Sequence, residues 1–225
     1  VVVGYDPYLD LVAPLIAGKR TIGGGMRTEM ERATLAIEAA EQGSDVAVVS
    51  TGDAGIYGMA GLVLEILPYE SEIEVEIVPG ITAASAAAAC LGAPLMNDFA
   101  VISLSDLLTP LPVIEKRLAF AIAGDFVIAL YNPRSSRRVE PLRRALALLR
   151  AVRPGNTPVG VVRDALREGQ AVTVTTLDLL DEEELDMRTV VIVGNSATQV
   201  RDGRMVTARG YPVRGAEADC WGEER

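Results

Sequence analysis

Three short strings hold the residues in this sequence that can do chemistry together. Thr51-Gly52-Asp53-Ala54-Gly55-Ile56-Tyr57-Gly58 joins an apolar run to a helical segment. It offers bare backbone and one carboxylate. It has no lysine, so it is not the usual phosphate-cradling loop. It suits a ligand that is polar, flat and not strongly anionic. A tight turn would explain the glycines equally well. Asp53 adds weight, because a carboxylate at the end of a buried strand is costly without a partner. A ligand hydroxyl, a backbone amide or a cation would supply one. The second string is Val78-Pro79-Gly80-Ile81-Thr82-Ala83-Ala84-Ser85, where Thr82 also reads as a simple helix N-cap. The third is Tyr131-Asn132-Pro133-Arg134-Ser135-Ser136-Arg137-Arg138. A basic run is usually solvated surface, but this one directly follows a strand, and its arginines can pair with ligand carboxylates. Gly25-Met26-Arg27-Thr28-Glu29-Met30 is glycine-bearing too, yet lacks the spacing of a dinucleotide fingerprint.

Open α/β sheets bind ligands outside the carboxyl ends of their strands, and the surrounding sequence predicts such ends. Val1-Val2-Val3-Gly4 and residues 46–50, 73–78 and 99–103 read as strands of a first half. Residues 5–16 read as a short helix and loop, and 26–42, 59–67 and 82–90 as helices, with Gly43 capping the first of these three. The proline-bearing stretch 107–112 reads as a connection, which predicts domains over 1–108 and 109–212 and a loose, flexible tail over 213–225. In the second half, 113–123 and 139–152 read as helices, and 126–131, 158–162, 170–176 and 189–193 as strands. A hairpin over 201–207 turns at Asp202-Gly203. Strands alternating with helices predict an α/β fold with parallel sheet.

Composition narrows the function. Of 225 residues, 49% are hydrophobic and only 4% aromatic, with a net charge of −10. A nucleic-acid footprint is not expected. Histidine is absent, which removes the commonest general base and the commonest metal ligand. No metal-ligand spacing is found, and no catalytic residue is singled out. Cys90 and Cys220 form no disulfide framework, so a reducing cytoplasm is expected. No signal peptide or membrane-spanning run is read.

Taken in order, the strings resemble the tetrapyrrole (corrin/porphyrin) methylase family, and within it the precorrin-3B C17-methyltransferase branch. The carrying residues are Gly23-Gly24-Gly25-Met26-Arg27-Thr28-Glu29-Met30-Glu31-Arg32-Ala33, residues 49–60, 78–85 and 125–135, and Val190-Val191-Ile192-Val193-Gly194-Asn195-Ser196. The resemblance runs over about residues 1–211. It implies two α/β domains with the active cleft between them, and a homodimer. It implies S-adenosyl-L-methionine as methyl donor and precorrin-3B or its cobalt form as acceptor. Methylation at C17 with ring contraction, on the route to cobalamin, would be the reaction. Carried over by position, Gly52, Asp53, Ile56, Tyr57, Thr82 and Ala83 would line the donor site. Leu130, Tyr131, Asn132, Pro158, Val159 and Gly160 would join them. Arg27, Arg134, Arg137 and Arg138 would meet the acceptor carboxylates. Family members begin with a strand and a Gly-x-Gly-Pro-Gly-Asp-Pro loop. This sequence shows neither, so the first sheet is expected to lack its opening strand. Another precorrin methyltransferase, a nucleotide-dependent oxidoreductase and a non-catalytic truncated homologue are the alternatives.

Overall fold

The computed structural model describes residues 1–212, so the expected tail at 213–225 lies outside the described residues. The chain forms two compact units, Val1–Thr82 and Ala83–Arg225.

In the first unit, β1 (Val2–Gly4) lies between β2 (Thr21–Ile22) and β3 (Ala47–Val49), and both pairings are parallel. Val2 and Val3 are buried, as a central apolar strand requires. Helix α1 (Asp6–Leu11) starts with proline in its first turn, where a missing N–H costs nothing. Helix α2 (Glu29–Glu41) buries Ala33, Ala36 and Ala39 along one stripe. It starts later than the residue 26 expected, because Arg27 adopts a left-handed φ of 67°. Gly25 is held as loop by Thr28 Oγ1 and Arg32 Nη1, which both donate to its carbonyl. Gly43, with φ 81°, ends the helix as read. Helix α3 (Ala60–Ile66) follows the glycine loop. Residues 73–78, expected as a strand, join no ladder among the described residues. Their alternation survives in burial only: Ile73 and Val75 are half-buried, while Glu72, Glu74 and Glu76 are exposed.

The second unit opens with α4 (Ala83–Leu91), β4 (Gly92–Ala93) and β5 (Phe99–Ser103). Then come α5 (Leu111–Ala123), β6 (Val127–Tyr131), α6 (Glu140–Val152) and β7 (Pro158–Arg163). It closes with β8 (Ala171–Thr176), β9 (Thr189–Val193), β10 (Thr198–Arg201) and β11 (Arg204–Thr207). The main sheet has the order β5-β6-β9-β7-β8 and is mixed: β5 and β6 pair in parallel, and the other pairings are antiparallel. A small sheet, β10-β11-β4, takes β4 from before the main sheet's strands and its hairpin from after them. Its hairpin turns at Asp202 (φ 49°) and Gly203 (φ 74°), the double positive φ of a tight two-residue turn.

The division after Thr82 falls well before the expected break at 108/109. The reason is β5. The sequence places it last in the first half, but it pairs in register with β6, Phe99 opposite Val127 through Ser103 opposite Tyr131. The side chains of β6 alternate between two cores. Val127, Ala129 and Tyr131 meet Ala84, Ala87, Ala88 and Leu91 of α4. Ile128 and Leu130 meet Leu118, Leu142, Leu146 and Leu149 of α5 and α6. Small alanines on α4 let that helix approach closely.

Arg153, 7% exposed, ties strand ends together. Its guanidinium donates to the carbonyls of Phe126 and Gly194, and at 3.5 Å to that of Val193. Its Nε has no partner. No helix among the described residues is long and apolar enough to cross a membrane.

Candidate ligand-binding loops

The loop after β3 is built around Asp53. Its Oδ1 accepts from the Gly55 amide at 2.8 Å, and its Oδ2 from the Gly80 amide at 2.9 Å. Of the three partners that the sequence left open, the fold supplies backbone amides. Gly80 can come this close only because it has no side chain. A Cβ there would lie 2.1 Å from the Gly52 carbonyl oxygen. Gly58 is equally constrained, since its Cβ would lie 2.5 Å from the Ala54 oxygen. Ser50 Oγ accepts from the Met59 amide at 3.2 Å and so anchors the start of α3. Sequence alone does not single out Ser50 or Gly80 for the site. The Pro79-Gly80 pair was the available signal for the second. Ile56 and Tyr57 are exposed at the crest of the loop, and Tyr57 has φ 55°.

The Gly80 amide, and then the Gly55 amide, hold the Asp53 carboxyl below its usual range. A depressed folded value means that the carboxylate supports the loop fully above its ordinary pKa of about 3.9. That support is lost as pH falls below this value toward the folded one. The Gly55 and Gly80 amide resonances should therefore keep constant shifts from neutral pH downward and titrate together only in the acid range. A common midpoint above the ordinary carboxylate value would contradict the two bonds.

Arg27 follows β2, at the same carboxyl edge of this parallel sheet, two strands from β3. It is exposed. A surface cavity of about 740 Å³, lined by Val1, Val12, Leu15, Ile16 and Val46, lies at the opposite edge and contains none of the predicted site residues.

In the second unit, the phenol oxygen of Tyr131 accepts from the Ala84 amide at 2.5 Å. That bond satisfies an open amide in the first turn of α4 and brings Ala83 to the end of β6. Asn132 is left-handed, with φ 52°, and its Nδ2 donates to Ser103 Oγ at 3.0 Å. Leu130 was expected at the site, but its side chain is fully buried against α5 and α6. Only its backbone is left to meet a ligand. Pro158, Val159 and Gly160 open β7, and Pro158 is half-buried. Val159 and Gly160 align through β9 with Ile128 and Ala129, short of the edge that carries Asn132. Val159 lies in the core, and a Cβ on Gly160 would sit 2.3 Å from Leu91 Cδ1. Val159 and Gly160 pack inside this unit.

The arginines divide. Arg134 donates to Glu183 Oε2 at 2.6 Å and to the Glu182 carbonyl at 2.7 Å. Arg138 donates to the carbonyls of Leu104 at 2.5 Å and Asn132 at 2.8 Å. Burial lowers its pKa, partly offset by Asp106. Arg137 is exposed, with no hydrogen bond or ion pair among the described residues. Among the described residues, no group of three His, Cys, Asp or Glu could hold a metal ion.

A parallel three-stranded edge with a lysine-free glycine loop, and a mixed α/β sheet after it, define the class. The chain belongs to the tetrapyrrole (corrin/porphyrin) methylases, whose family profile matches residues 1–181. It is 54% identical over 214 residues to the probable cobalt-factor III C(17)-methyltransferase of Salmonella typhimurium, covering 95% of this chain and 89% of that protein. It is 42% identical over 207 residues to the precorrin-3B C(17)-methyltransferase of a Sinorhizobium species, covering 89% and 81%. The crystal structure of the methyltransferase CobJ matches with a TM-score of 0.87 at 42% identity, covering 92% of this chain and 87% of that one.

Proposed function

We propose that this protein methylates C17 of precorrin-3B or cobalt-precorrin-3B, with ring contraction, in cobalamin biosynthesis. S-adenosyl-L-methionine is the proposed donor. When bound, it supplies a methyl group already activated on a sulfonium. The chain's own task is then to align two reactants, which is worth up to about 7–11 kcal/mol in favourable cases. No strong base is needed for that step, in keeping with a sequence without histidine.

The observation that carries the donor reading is the Asp53–Gly80 junction. It fixes two glycine turns in backbone contact and keeps a carboxylate ionised among them. A cationic, phosphate-free nucleoside fits this better than a phosphate ester would. Gly52, Asp53, Ile56 and Tyr57 are the proposed donor contacts of the first unit, with Thr82. Ala83, Tyr131, Asn132 and the Leu130 backbone are those of the second. The acceptor's carboxylates are assigned to Arg137 and Arg27, the two of the four candidate arginines whose side chains are not engaged in the bonds described above. The chain is proposed to work as a cytoplasmic homodimer, without nucleic-acid or membrane partners.

The test is methyl transfer to precorrin-3B and its cobalt form, followed by mass spectrometry. One methyl gained per S-adenosylhomocysteine released, with a contracted ring, is the expected product. Methylation of a different precorrin only would replace the C17 assignment. A thermal-shift series adds a check on the donor. S-adenosylmethionine and S-adenosylhomocysteine should raise the melting temperature and NAD should not; the reverse pattern would reject the donor.

A further inference from the structure

We propose that Arg138 is a positioning residue for the methyl donor: its guanidinium clamps the ends of β5 and β6 so that Asn132 is held left-handed at the donor side. The inference rests on the reading that Asn132 meets the donor. Sequence alone groups Arg138 with Arg134 and Arg137 as cations for acceptor carboxylates. Its surroundings argue otherwise.

The side chain is 12% exposed. Nη1 reaches the Leu104 carbonyl, just past β5, and Nη2 reaches the Asn132 carbonyl, just past β6. The same two ends are tied by the Leu104 amide donating to the Tyr131 carbonyl at 2.9 Å. Asn132 completes the tie through its own side chain to Ser103. A non-glycine residue in the left-handed region is disfavoured and persists where its surroundings over-determine it. Here both the carbonyl and the amide side chain of Asn132 are held. The chain then folds back through a bridge between Ser135 and Arg138, which leaves Arg137 outside the clamp. A planar fork donating to two carbonyls is geometry that lysine cannot copy.

The test compares Arg138→Met, Arg138→Lys, Arg137→Met and Leu118→Ala with the unaltered protein. Leu118 is fully buried on α5 and serves as a control for general destabilisation. Calorimetry with S-adenosylhomocysteine gives donor affinity, and initial rates give the acceptor KM. Arg138→Met is expected to weaken donor binding about tenfold, the loss of one charged hydrogen bond's worth, while Arg138→Lys recovers part of it. Arg137→Met should keep donor affinity and raise the acceptor KM. Leu118→Ala should melt earlier yet bind the donor normally when folded. Unchanged donor affinity with a raised acceptor KM in Arg138→Met would overturn the proposal. So would an equal donor loss in Leu118→Ala. If Arg138→Met does not fold, Arg138→Lys decides by the same criterion, with an expected loss of about threefold. Failure of the unaltered protein to bind the probe would defeat the donor reading itself, and the proposal with it.

Discussion

Gly80→Ala is expected to weaken donor binding about tenfold to a hundredfold while leaving the second unit folded. The added Cβ would lie 2.1 Å from the Gly52 oxygen, 3.1 Å from its carbonyl carbon and 3.4 Å from Asp53 Cα. All three are backbone atoms, so no rotamer change relieves the clash. The two turns must part, and the bond from the Gly80 amide to Asp53 Oδ2 is lost with the contact. Overpacking against backbone costs about 1–3 kcal/mol. For a ligand that needs both turns, this corresponds to a loss of about tenfold to a hundredfold in affinity. Calorimetry with S-adenosylhomocysteine measures it. Donor affinity near that of the unaltered protein would show that the junction has no part in binding. Asp53→Asn should sit between, since an amide oxygen can replace only one of two accepting atoms.

Arg153→Met should have the largest effect on stability, a loss of about 2–5 kcal/mol. Methionine preserves much of the volume, and the unpartnered Nε leaves nothing to lose at that atom. The cost comes from the Phe126 and Gly194 carbonyls, which lose their buried donor. Urea unfolding followed by circular dichroism checks it. A change below about 0.5 kcal/mol, typical of surface sites, would mean that water satisfies these carbonyls. Donor binding at low temperature should be preserved, because Arg153 grips the end of β6 opposite to Asn132.

The strands that sequence made plain are those whose apolar runs are long and continuous. Val127–Tyr131 and Thr189–Val193 are buried at every residue, so no period was needed to recognise them. Two-residue strands such as Thr21–Ile22 carry no pattern of their own and exist through their partners. Residues 73–78 show the converse. Their alternation is strong, but a ladder requires a neighbour within hydrogen-bonding reach, and alternation cannot supply one. Partner choice is equally hidden in the sequence. Phe99–Ser103 reads as a strand, and nothing local says that its mate is 127–131 rather than an earlier strand. At the site, loop positions were legible because glycine and proline mark them. Which arginine faces outward was not, since Arg134, Arg137 and Arg138 are equal as letters. Their difference comes from carbonyls and carboxylates that are distant in sequence, Leu104 and Glu183 among them.

The bond between Asp53 and Gly80 spans 27 residues, with α3 inside the span. A ligand that requires both ends can bind only after that whole stretch has closed, so recognition and local folding share one equilibrium. Occupancy should then slow hydrogen exchange across residues 53–80, including amides far from any contact. At a hundred times its dissociation constant, the ligand would add about 2.7 kcal/mol to closure. In a cell, the supply of that ligand would set how long this stretch stays shut, and so how exposed it is to proteases.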